Sequence, residues 1–223
     1  MNKGKVIVIE GCTDGIGKST QYDLLIKRLE KECINITYHH FPTYNTYQGT
    51  CVEKYLSGEY GPANTLSPYF INTLYAVDRA VTYNTILKNK YDEGCLLLLD
   101  RYTTSSLIYQ SSFIKDANEK TKFLDYVYDY EYTKLELPKP DLVIFLKADF
   151  DLVNNLRNNR TDNDGIKHDI HESDIKYMEN AYISSLFVCD YFKWKTIDCS
   201  INGSMRSIEE IHEDIYNTVK EIL

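Results

Sequence analysis

The chain lacks the cysteine patterns that stabilise small disulfide-rich or zinc-binding folds. Its cysteines form no Cys-x-x-Cys pair and no Cys/His cluster at zinc spacing. Only five of the 223 residues are proline, and there is no internal repeat or low-complexity tract. These absences argue against a disulfide scaffold and a zinc module. They favour reduced thiols, as in the cytosol, in a chain long enough to bury one core.

Long apolar runs and an excess of positive charge are also missing. The longest uninterrupted aliphatic or aromatic run is Leu142 to Leu146, whereas a membrane helix needs about 20 residues. No apolar segment near Met1 has signal-peptide length. The formal net charge is −8, and proteins that bind nucleic acid or anionic membranes use a basic face. We therefore expect a cytoplasmic protein that binds neither, although a small polyanionic ligand needs only a few local donors.

Short apolar runs alternate with helical patterns along the chain, and this alternation is typical of a parallel sheet covered by helices on both faces. The runs show no polar alternation, as expected for strands that are buried on both sides. The five predicted strands are Val6–Glu10, Ile34–Phe41, Leu96–Leu99, Leu142–Leu146 and Trp194–Cys199. No change in composition marks a second domain, so residues 1–223 are predicted to form one α/β domain.

Apolar residues at helical spacing predict long helices between these strands. In the segment Thr65–Asn89 the apolar positions recur at intervals of four, three and four. Further helices are predicted directly after the first strand and over Phe123–Leu137, Ile175–Phe192 and Ile208–Leu223. The stretch Arg157–Ser173 is polar and has no apolar period, so we predict a mobile loop there that acts as a lid.

The stretch Val6–Thr20, VIVIEGCTDGIGKST, runs from a strand through a Gly-rich segment into a helix. Backbone N–H groups in such a turn converge on an anion, and the positive end of the following helix favours negative charge there. The pattern predicts a nucleotide-phosphate loop in which Lys18 reaches the outer phosphates and Ser19 holds Mg²⁺. The residues predicted to bind the donor nucleotide here are Asp14, Gly15, Ile16, Gly17, Lys18, Ser19 and Thr20.

The spacing of this loop departs from the usual pattern by one residue. In G-x-x-x-x-G-K-[S/T], counting back from Gly17 places Cys12, not Gly11, at the first glycine. Either the loop is one residue longer, or Cys12 tolerates the exit from the strand. The alternative without a ligand is an ordinary Gly-rich connection between strand and helix.

A second polar group, Asp100-Arg101, follows the third predicted strand. Ligands of open α/β sheets bind outside the carboxyl ends of the strands, so these side chains are predicted to face the same crevice as the phosphate loop. Arginine can clamp a phosphate with two hydrogen bonds, and aspartate can orient Mg²⁺ waters or the attacking oxygen. The alternative for Asp100 is a helix cap that bonds only backbone amides.

Together these motifs resemble the thymidylate kinase family, whose members phosphorylate dTMP. The similarity runs from about residue 4 to about residue 200. It is especially close to the type found in Gram-positive bacteria, through Gly58-Glu59-Tyr60-Gly61 and Asp169-Ile170-His171-Glu172. The other landmarks are Glu10-Gly11, Asp14, Gly17-Lys18-Ser19-Thr20, Phe41-Pro42, Tyr75-Ala76-Val77-Asp78-Arg79, Asp100-Arg101-Tyr102, Ser105, Tyr109-Gln110 and Leu137-Pro138-Lys139-Pro140-Asp141.

The resemblance implies a P-loop kinase fold that binds ATP, Mg²⁺ and dTMP, and a homodimer formed through the helix face around residues 65–83. It assigns Lys18 and Ser19 to the ATP phosphates and the metal, and Asp100 to the metal and the reacting group. It implies that Arg157 or Arg160, at the mouth of the polar loop, meets adenine or the transferring phosphoryl group.

The resemblance also implies the residues that bind the acceptor. Arg101 would grip the dTMP phosphate, and Asp14 would contact the 3′-hydroxyl of the deoxyribose. Tyr75 would stack on thymine, and Arg79 would read the edge of the base. The remaining residues assigned to this pocket are Phe41, Pro42, Ser105, Tyr109 and Gln110.

Some positions depart from the family pattern. Two residues, Cys12 and Thr13, precede the loop acid where the family has one, and Thr43 stands where many members have an arginine that contacts the dTMP phosphate. Ile108 replaces a small alanine beside the nucleoside, which predicts a tighter or displaced pocket.

No arginine flanks Gly15, so a catalytic cation is expected from the lid. Arg160 and Lys167 are the candidates for this cation.

Other interpretations stay open from the residues alone. Tyr75 and Tyr109 are equally consistent with core aromatics, and Arg79 with a solvated or snorkelling side chain. A deoxynucleoside kinase also reads a base with aromatics and arginine, and Thr43 favours it. The longer loop, Thr43 and Ile108 also motivate a nucleotide-binding protein whose acceptor site has decayed.

Overall fold

The structure is a computed structural model that describes residues 3–164 and 175–223, with the backbone alone for residues 158–164. Its strands are β1 (Val6–Gly11), β2 (Ile36–His40), β3 (Leu96–Asp100), β4 (Leu142–Lys147), β5 (Lys195–Asp198), β6 (Ser200–Ile201) and β7 (Ser204–Met205). The first five form one sheet, and the last two form a short antiparallel hairpin.

The α-helices of the described residues surround this sheet. They are α1 (Lys18–Lys31), α2 (Thr50–Leu56), α3 (Pro68–Thr82), α4 (Lys88–Asp92), α5 (Thr103–Tyr109), α6 (Ala117–Asp129), α7 (Phe150–Asp164), α8 (Ile175–Phe192) and α9 (Ile208–Lys220). Two π-helical segments lie between or after these helices. Tyr83–Leu87 joins α3 to α4, and Tyr130–Lys134 extends α6. Among the described residues, no helix is long and apolar enough to cross a membrane.

The five-stranded sheet is parallel throughout, in the order β2-β3-β1-β4-β5. In its register Ile9 lies beside Asp100, and Asp100 lies beside His40 at the end of β2. All carboxyl ends of parallel strands meet at one edge of the sheet. This edge therefore carries the Gly-rich loop after Gly11, the loop after His40 and the segment that begins at Arg101.

Alternate strand residues enter two apolar cores, one on each face of the sheet. One core combines Ile7, Ile9, Leu98, Ile144 and Leu146 with residues of α1, α5, α6, α8 and α9. The other combines Val6, Val8, Leu97, Leu99 and Val143 with Phe41, Tyr83, Leu87, Tyr102, Tyr132 and Leu137. Burial on both faces explains why these strands show no polar alternation in the sequence.

The structure confirms the predicted fold class and all five predicted strands, with shifts of one or two residues at some of their ends. The prediction of a loop over Arg157–Ser173 is wrong for its first part, because α7 continues to Asp164. The apolar period ends before the helix does, since α7 buries Val153 but continues as a polar helix. Residues 165–173 lie outside the described part of the chain.

Helix α6 begins six residues earlier than predicted, at Ala117 rather than Phe123. Asp116 caps it, because its side chain accepts a hydrogen bond of 2.9 Å from the Glu119 N–H. The predicted helix Thr65–Asn89 is also altered at both ends: Thr65 lies in a short 3₁₀ turn, and the helical segment continues to Asp92.

Helix α9 begins with a reciprocal cap that supports the helix after the Gly-rich loop. The Glu210 N–H donates to Ser207 Oγ, and the Ser207 N–H donates to the Glu210 carboxylate. The first turn of α9 then contacts α1, since Gln21 Nε2 donates to the Ile208 carbonyl at 2.9 Å.

We expect Ser207→Ala to lower the free energy of unfolding by about 1 kcal/mol, because the Glu210 N–H loses its acceptor and the Glu210 carboxylate loses the Ser207 hydroxyl. Urea unfolding followed by circular dichroism measures this change. Ser204→Ala, at an exposed position of β7, serves as the control and should change stability by less than about 0.5 kcal/mol. Equal stability of the two variants would contradict the role given to the cap.

Candidate functional site

The Gly-rich loop between β1 and α1 forms a cradle at the carboxyl edge of the sheet. Gly15 and Gly17 adopt φ values of 94° and 93°, in the left-handed region that favours glycine. A cavity of about 150 Å³ opens over the loop. Its lining residues are Thr13, Asp14, Gly15, Gly17, Lys18, Ser19, Thr20, His40 and Arg101. Ile16 is absent from this lining because its side chain is buried in the apolar core.

The Asp100 carboxylate, at the end of β3, connects the loop to two neighbouring strands. Lys18 Nζ contacts its Oδ1, and His40 Nδ1 lies 2.8 Å from its Oδ2. Although burial opposes it, the hydrogen bond from His40 and the charge of Lys18 lower the pKa of Asp100 to about 2. Helix α5 has Tyr102 at its N-cap and no side-chain capping bond there, so the helix-cap interpretation of Asp100 is wrong.

Arg101 follows directly and is held in the left-handed region, with φ 64°. Its Nη2 contacts Asp14 Oδ1, and its guanidinium lies 5.1 Å from the centre of the Tyr109 ring. Burial alone would lower the pKa of Arg101, but Asp14, Tyr109 and Glu10 together outweigh burial and raise the pKa well above the ordinary arginine value. Arg101 is therefore a fixed cation beside the loop.

Glu10 is a buried acid beneath this cation. Its Oε1 accepts hydrogen bonds from Thr104 Oγ1 at 2.8 Å and from Ser105 Oγ at 2.5 Å. Burial raises the pKa of Glu10, and the charges of Arg101 and Lys18 oppose this rise. No functional role was predicted for Glu10, whose contacts connect β1 to the first turn of α5.

A second cavity, of about 220 Å³, shares lining residues with the first. We call the first the loop cavity and the second the acceptor cavity. It brings together all nine residues that were predicted to bind the acceptor: Asp14, Phe41, Pro42, Tyr75, Arg79, Arg101, Ser105, Tyr109 and Gln110. Its other lining residues are His40, Tyr44, Leu56, Tyr102, Ser106 and Tyr177. Aromatic rings and two guanidinium groups thus line this cavity.

Arg79 is anchored deep in the wall of this cavity. Its Nε and Nη2 each donate to a different oxygen of Glu131 at 2.6 Å, and Nη2 also donates to Ser106 Oγ at 2.8 Å. Burial would lower the pKa of Arg79, but Glu131 raises it. Arg79 is only 1% exposed, so it is not a solvated or snorkelling side chain.

The sequence patterns missed Glu131, which lies in the π-helical segment after α6. This turn holds one extra residue compared with an α-helix and so changes which side chains face inward. Thr103 Oγ1 also donates to Glu131 at 2.8 Å. Helical periodicity carries no signal for such an insertion.

Comparison with known proteins shows which family the chain belongs to. A family model described as thymidylate kinase matches residues 9–215. The chain belongs to the thymidylate kinase family. Members of this family phosphorylate dTMP with ATP as the phosphate donor, and this chain is a thymidylate kinase enzyme by that relationship.

Relatives from several organisms match over most of the chain. A thymidylate kinase of Plasmodium falciparum (isolate 3D7) is 30% identical over 220 residues, which cover 99% of this chain and 91% of the relative. A thymidylate kinase of Danio rerio is 26% identical over 225 residues, with 99% and 92% covered. These relatives are eukaryotic, so the likeness to the Gram-positive type is not supported.

A solved structure of thymidylate kinase from Candida albicans has a TM-score of 0.73 with this chain. The match covers 98% of this chain and 92% of that chain, at 22% identity. It supports the P-loop kinase fold.

The extra residue of the thymidylate kinase loop is absorbed at the end of β1. The Cys12 N–H donates to the Leu146 carbonyl at 2.9 Å, as a continuation of the pairing with β4. The Cys12 carbonyl accepts from Ser185 Oγ at 3.0 Å. Because Cys12 stays with the strand, Asp14 still lines both cavities.

Two other departures from the family pattern lie away from the acceptor cavity. Thr43 Oγ1 is 3.0 Å from His39 Nε2 and 3.1 Å from Thr82 Oγ1, so its side chain faces the interior. Ile108 is fully buried in the core and is not a lining residue. The lining of the cavity therefore gives no direct support for the expectation that Ile108 narrows the pocket.

Arg157, predicted to lie at the mouth of a lid, is part of α7, and the structure describes its side chain. A Cβ added to Gly15 would lie 3.1 Å from the Arg157 Cβ, so the stem of Arg157 packs directly on the loop. Its Nη2 donates to Asn154 Oδ1 at 3.1 Å. The side chain of Arg160, and the whole of Lys167, lie outside the described residues.

We expect Glu131→Gln to lower the free energy of unfolding by about 3–5 kcal/mol, because it leaves the buried Arg79 without its counter-charge. Urea unfolding at neutral pH measures the loss. In the double variant Arg79→Met, Glu131→Gln the uncompensated charge is gone, so its destabilisation should be smaller than that of Glu131→Gln alone. A loss in the double variant equal to the sum of the losses in Arg79→Met and Glu131→Gln would show that the pair is not coupled.

Proposed function

We propose that this chain transfers the γ-phosphoryl group of ATP to a phosphate oxygen of dTMP, with ADP and dTDP as products, through the residues described above. The observation that supports these roles most directly is the meeting of two cavities. The loop cavity and the acceptor cavity share Asp14, His40 and Arg101 as lining residues. Two phosphate groups bound on either side would approach each other at these residues.

The loop would hold the donor. Backbone N–H groups from Thr13 to Thr20 and the positive end of α1 surround the cavity, and both favour phosphate. An ammonium group has three N–H donors, so the contact between Lys18 and Asp100 leaves donors for phosphate oxygens. Arg157, packed on Gly15, would border the adenine side, and Arg160 is our candidate for a further cation.

The residues present fit a magnesium ion of the kind that kinases use. Among the described residues no group of three or more His, Cys, Asp or Glu could hold a metal, but Mg²⁺ in such sites takes one or two protein oxygens together with substrate phosphates and water. Ser19 and Asp100 offer a hydroxyl and a carboxylate of that type. When bound, the ion would neutralise phosphate charge.

The acceptor cavity would hold dTMP with its phosphate toward Arg101. The Asp14 carboxylate, which has two oxygens, would accept the 3′-hydroxyl of the sugar as well as Arg101. Tyr75 would stack on thymine, with Arg79 and Gln110 at the base edge and Tyr109 beside Arg101. Phosphoryl transfer depends mainly on alignment and charge neutralisation, and this pocket supplies both.

A homodimer through the outer face of α3 is also part of the proposal. Phe70 and Val77 are 44% and 45% exposed on this helix, and they are separated by seven residues, which places them on one face. Two such faces would bury each other's apolar side chains.

An assay of ADP release with dTMP, dUMP, thymidine and no acceptor tests the reaction. We expect turnover with dTMP and weaker turnover with dUMP, because one methyl group is worth about 1–3 kcal/mol of discrimination. Transfer to thymidine alone would indicate a deoxynucleoside kinase, and transfer to none would indicate a decayed acceptor site.

We expect Lys18→Ala to lower kcat at least about 10²–10³-fold, because a cation next to the transferring phosphate is lost. Circular dichroism should show a folded protein, and its unfolding midpoint should fall because the buried Asp100 loses one of its two partners. Lys27→Ala, on the exposed face of the same helix, is the matched control and should keep full activity. An active Lys18→Ala enzyme would exclude the phosphate-loop assignment.

We expect Val77→Asp to convert a dimer to a monomer, because a charge would be buried at the centre of the α3 face. Light scattering after size-exclusion chromatography gives the mass of each variant. Asp23→Asn, on the exposed side of α1, should leave the mass unchanged. A monomeric wild-type protein would rule out this part of the proposal.

A further inference from the structure

His40 lies where the loop cavity and the acceptor cavity meet, and the proposed function assigns it no role. It is the last residue of β2 and is in register with Asp100 on β3. It lines both cavities, and among the described residues only Asp14 and Arg101 share this position with it. His40 therefore lies where the proposed donor and acceptor sites meet.

The contact of His40 with Asp100 has a defined direction. Nδ1 lies 2.8 Å from Asp100 Oδ2. Asp100, with a pKa of about 2, is ionised at neutral pH and can only accept a hydrogen bond. Nδ1 therefore carries the hydrogen. Both the neutral and the charged imidazole can carry a hydrogen on Nδ1.

The two oxygens of Asp100 are thus held by different elements. Lys18, from the first turn of α1, contacts Oδ1, whereas His40, from β2, contacts Oδ2. A carboxylate with one partner can rotate about its terminal bond, since such torsions are broad. Two partners on opposite oxygens fix the plane of the carboxylate. This plane determines where the Asp100 oxygens and Lys18 Nζ lie relative to the bound phosphates.

We propose that His40 is a positioning residue for phosphoryl transfer, whose Nδ1–H fixes the Asp100 carboxylate against Lys18. This inference rests on the proposed function. The ring itself is steadied from outside, because Tyr44 stacks on it at 6.5 Å between ring centres and 30° between planes. Since the His40 side chain is 46% exposed, it can be replaced without opening the core.

The neighbouring His39 provides a contrast within the same strand. Successive side chains of a strand point to opposite faces. His39 Nε2 faces Thr43 Oγ1 at 3.0 Å, and its ring packs edge-on against Phe41 at 4.8 Å. His39 lines neither cavity, so it is a matched control for the loss of an imidazole from β2.

Steady-state kinetics with ATP and dTMP test the inference. We expect His40→Ala to lower kcat by about 10–100-fold, as for other residues that orient a catalytic group. The KM values for dTMP and ATP should change less than about 3-fold, since the contact is used in the transition state rather than in binding. His39→Ala should retain kcat.

Two amide variants distinguish the contact to Asp100 from a direct contact to substrate. Asparagine can place an N–H near the position of Nδ1, whereas glutamine reaches toward the position of Nε2. His40→Asn should therefore recover most of the lost kcat, and His40→Gln should remain as slow as His40→Ala. Recovery by glutamine but not by asparagine would overturn the inference, because His40 would then act on substrate through its outer nitrogen.

The outcomes separate this inference from the proposed function. An active wild-type enzyme together with an equally active, folded His40→Ala variant would overturn the inference alone. A wild-type enzyme without activity on dTMP would overturn both. Thermal unfolding of each variant shows that it is folded, and a fall in kcat that followed the fall in melting temperature across the four variants would also count against positioning.

Discussion

The site depends on one buried carboxylate, Asp100, and on the two groups that keep it ionised. Burial alone would favour the neutral acid. Lys18 and His40 reverse this preference from the two sides of the carboxylate. Because these partners come from α1 and β2, the register of the sheet and the path of the Gly-rich loop determine whether the charge is tolerated. The fold therefore determines the electrostatics of the site, because it places both partners of Asp100.

The other charged groups that border the acceptor cavity are also held by partners of opposite charge. Arg101 is paired with Asp14, and Arg79 is paired with Glu131. Each cation is desolvated and oriented by the protein before any phosphate or base arrives. In a site of low polarity, donors that are already fixed stabilise developing charge without a reorganisation cost during the reaction. Pairing thus allows a chain with a net charge of −8 to present cations to a dianionic ligand.

The strands and the Gly-rich loop could be predicted from contiguous patterns, and the residues that line the acceptor cavity from the family resemblance, but pairings between distant residues could not. The five strands and the loop from Gly15 to Thr20 could be predicted because their signals are contiguous. The partnership of His40 with Asp100 could not, since it joins residues 60 positions apart through strand register. Glu131 was missed because a π-helical turn breaks the period that sequence analysis follows. The second half of α7 was missed because its polar residues continue the helix beyond the last apolar position.

Under the proposed function, the anchoring of Arg79 would constrain how the acceptor pocket selects a base. Glu131 and Ser106 occupy its Nε and Nη2, and Nη1 is 3.4 Å from the Tyr102 carbonyl, at the weak end of hydrogen bonding. Nη1 is therefore the donor best able to serve a ligand. A single fixed donor distinguishes an acceptor oxygen from an amino group at one position of the base. It cannot sense a methyl group, so any preference for thymine over uracil must come from the fit between the surrounding tyrosine rings.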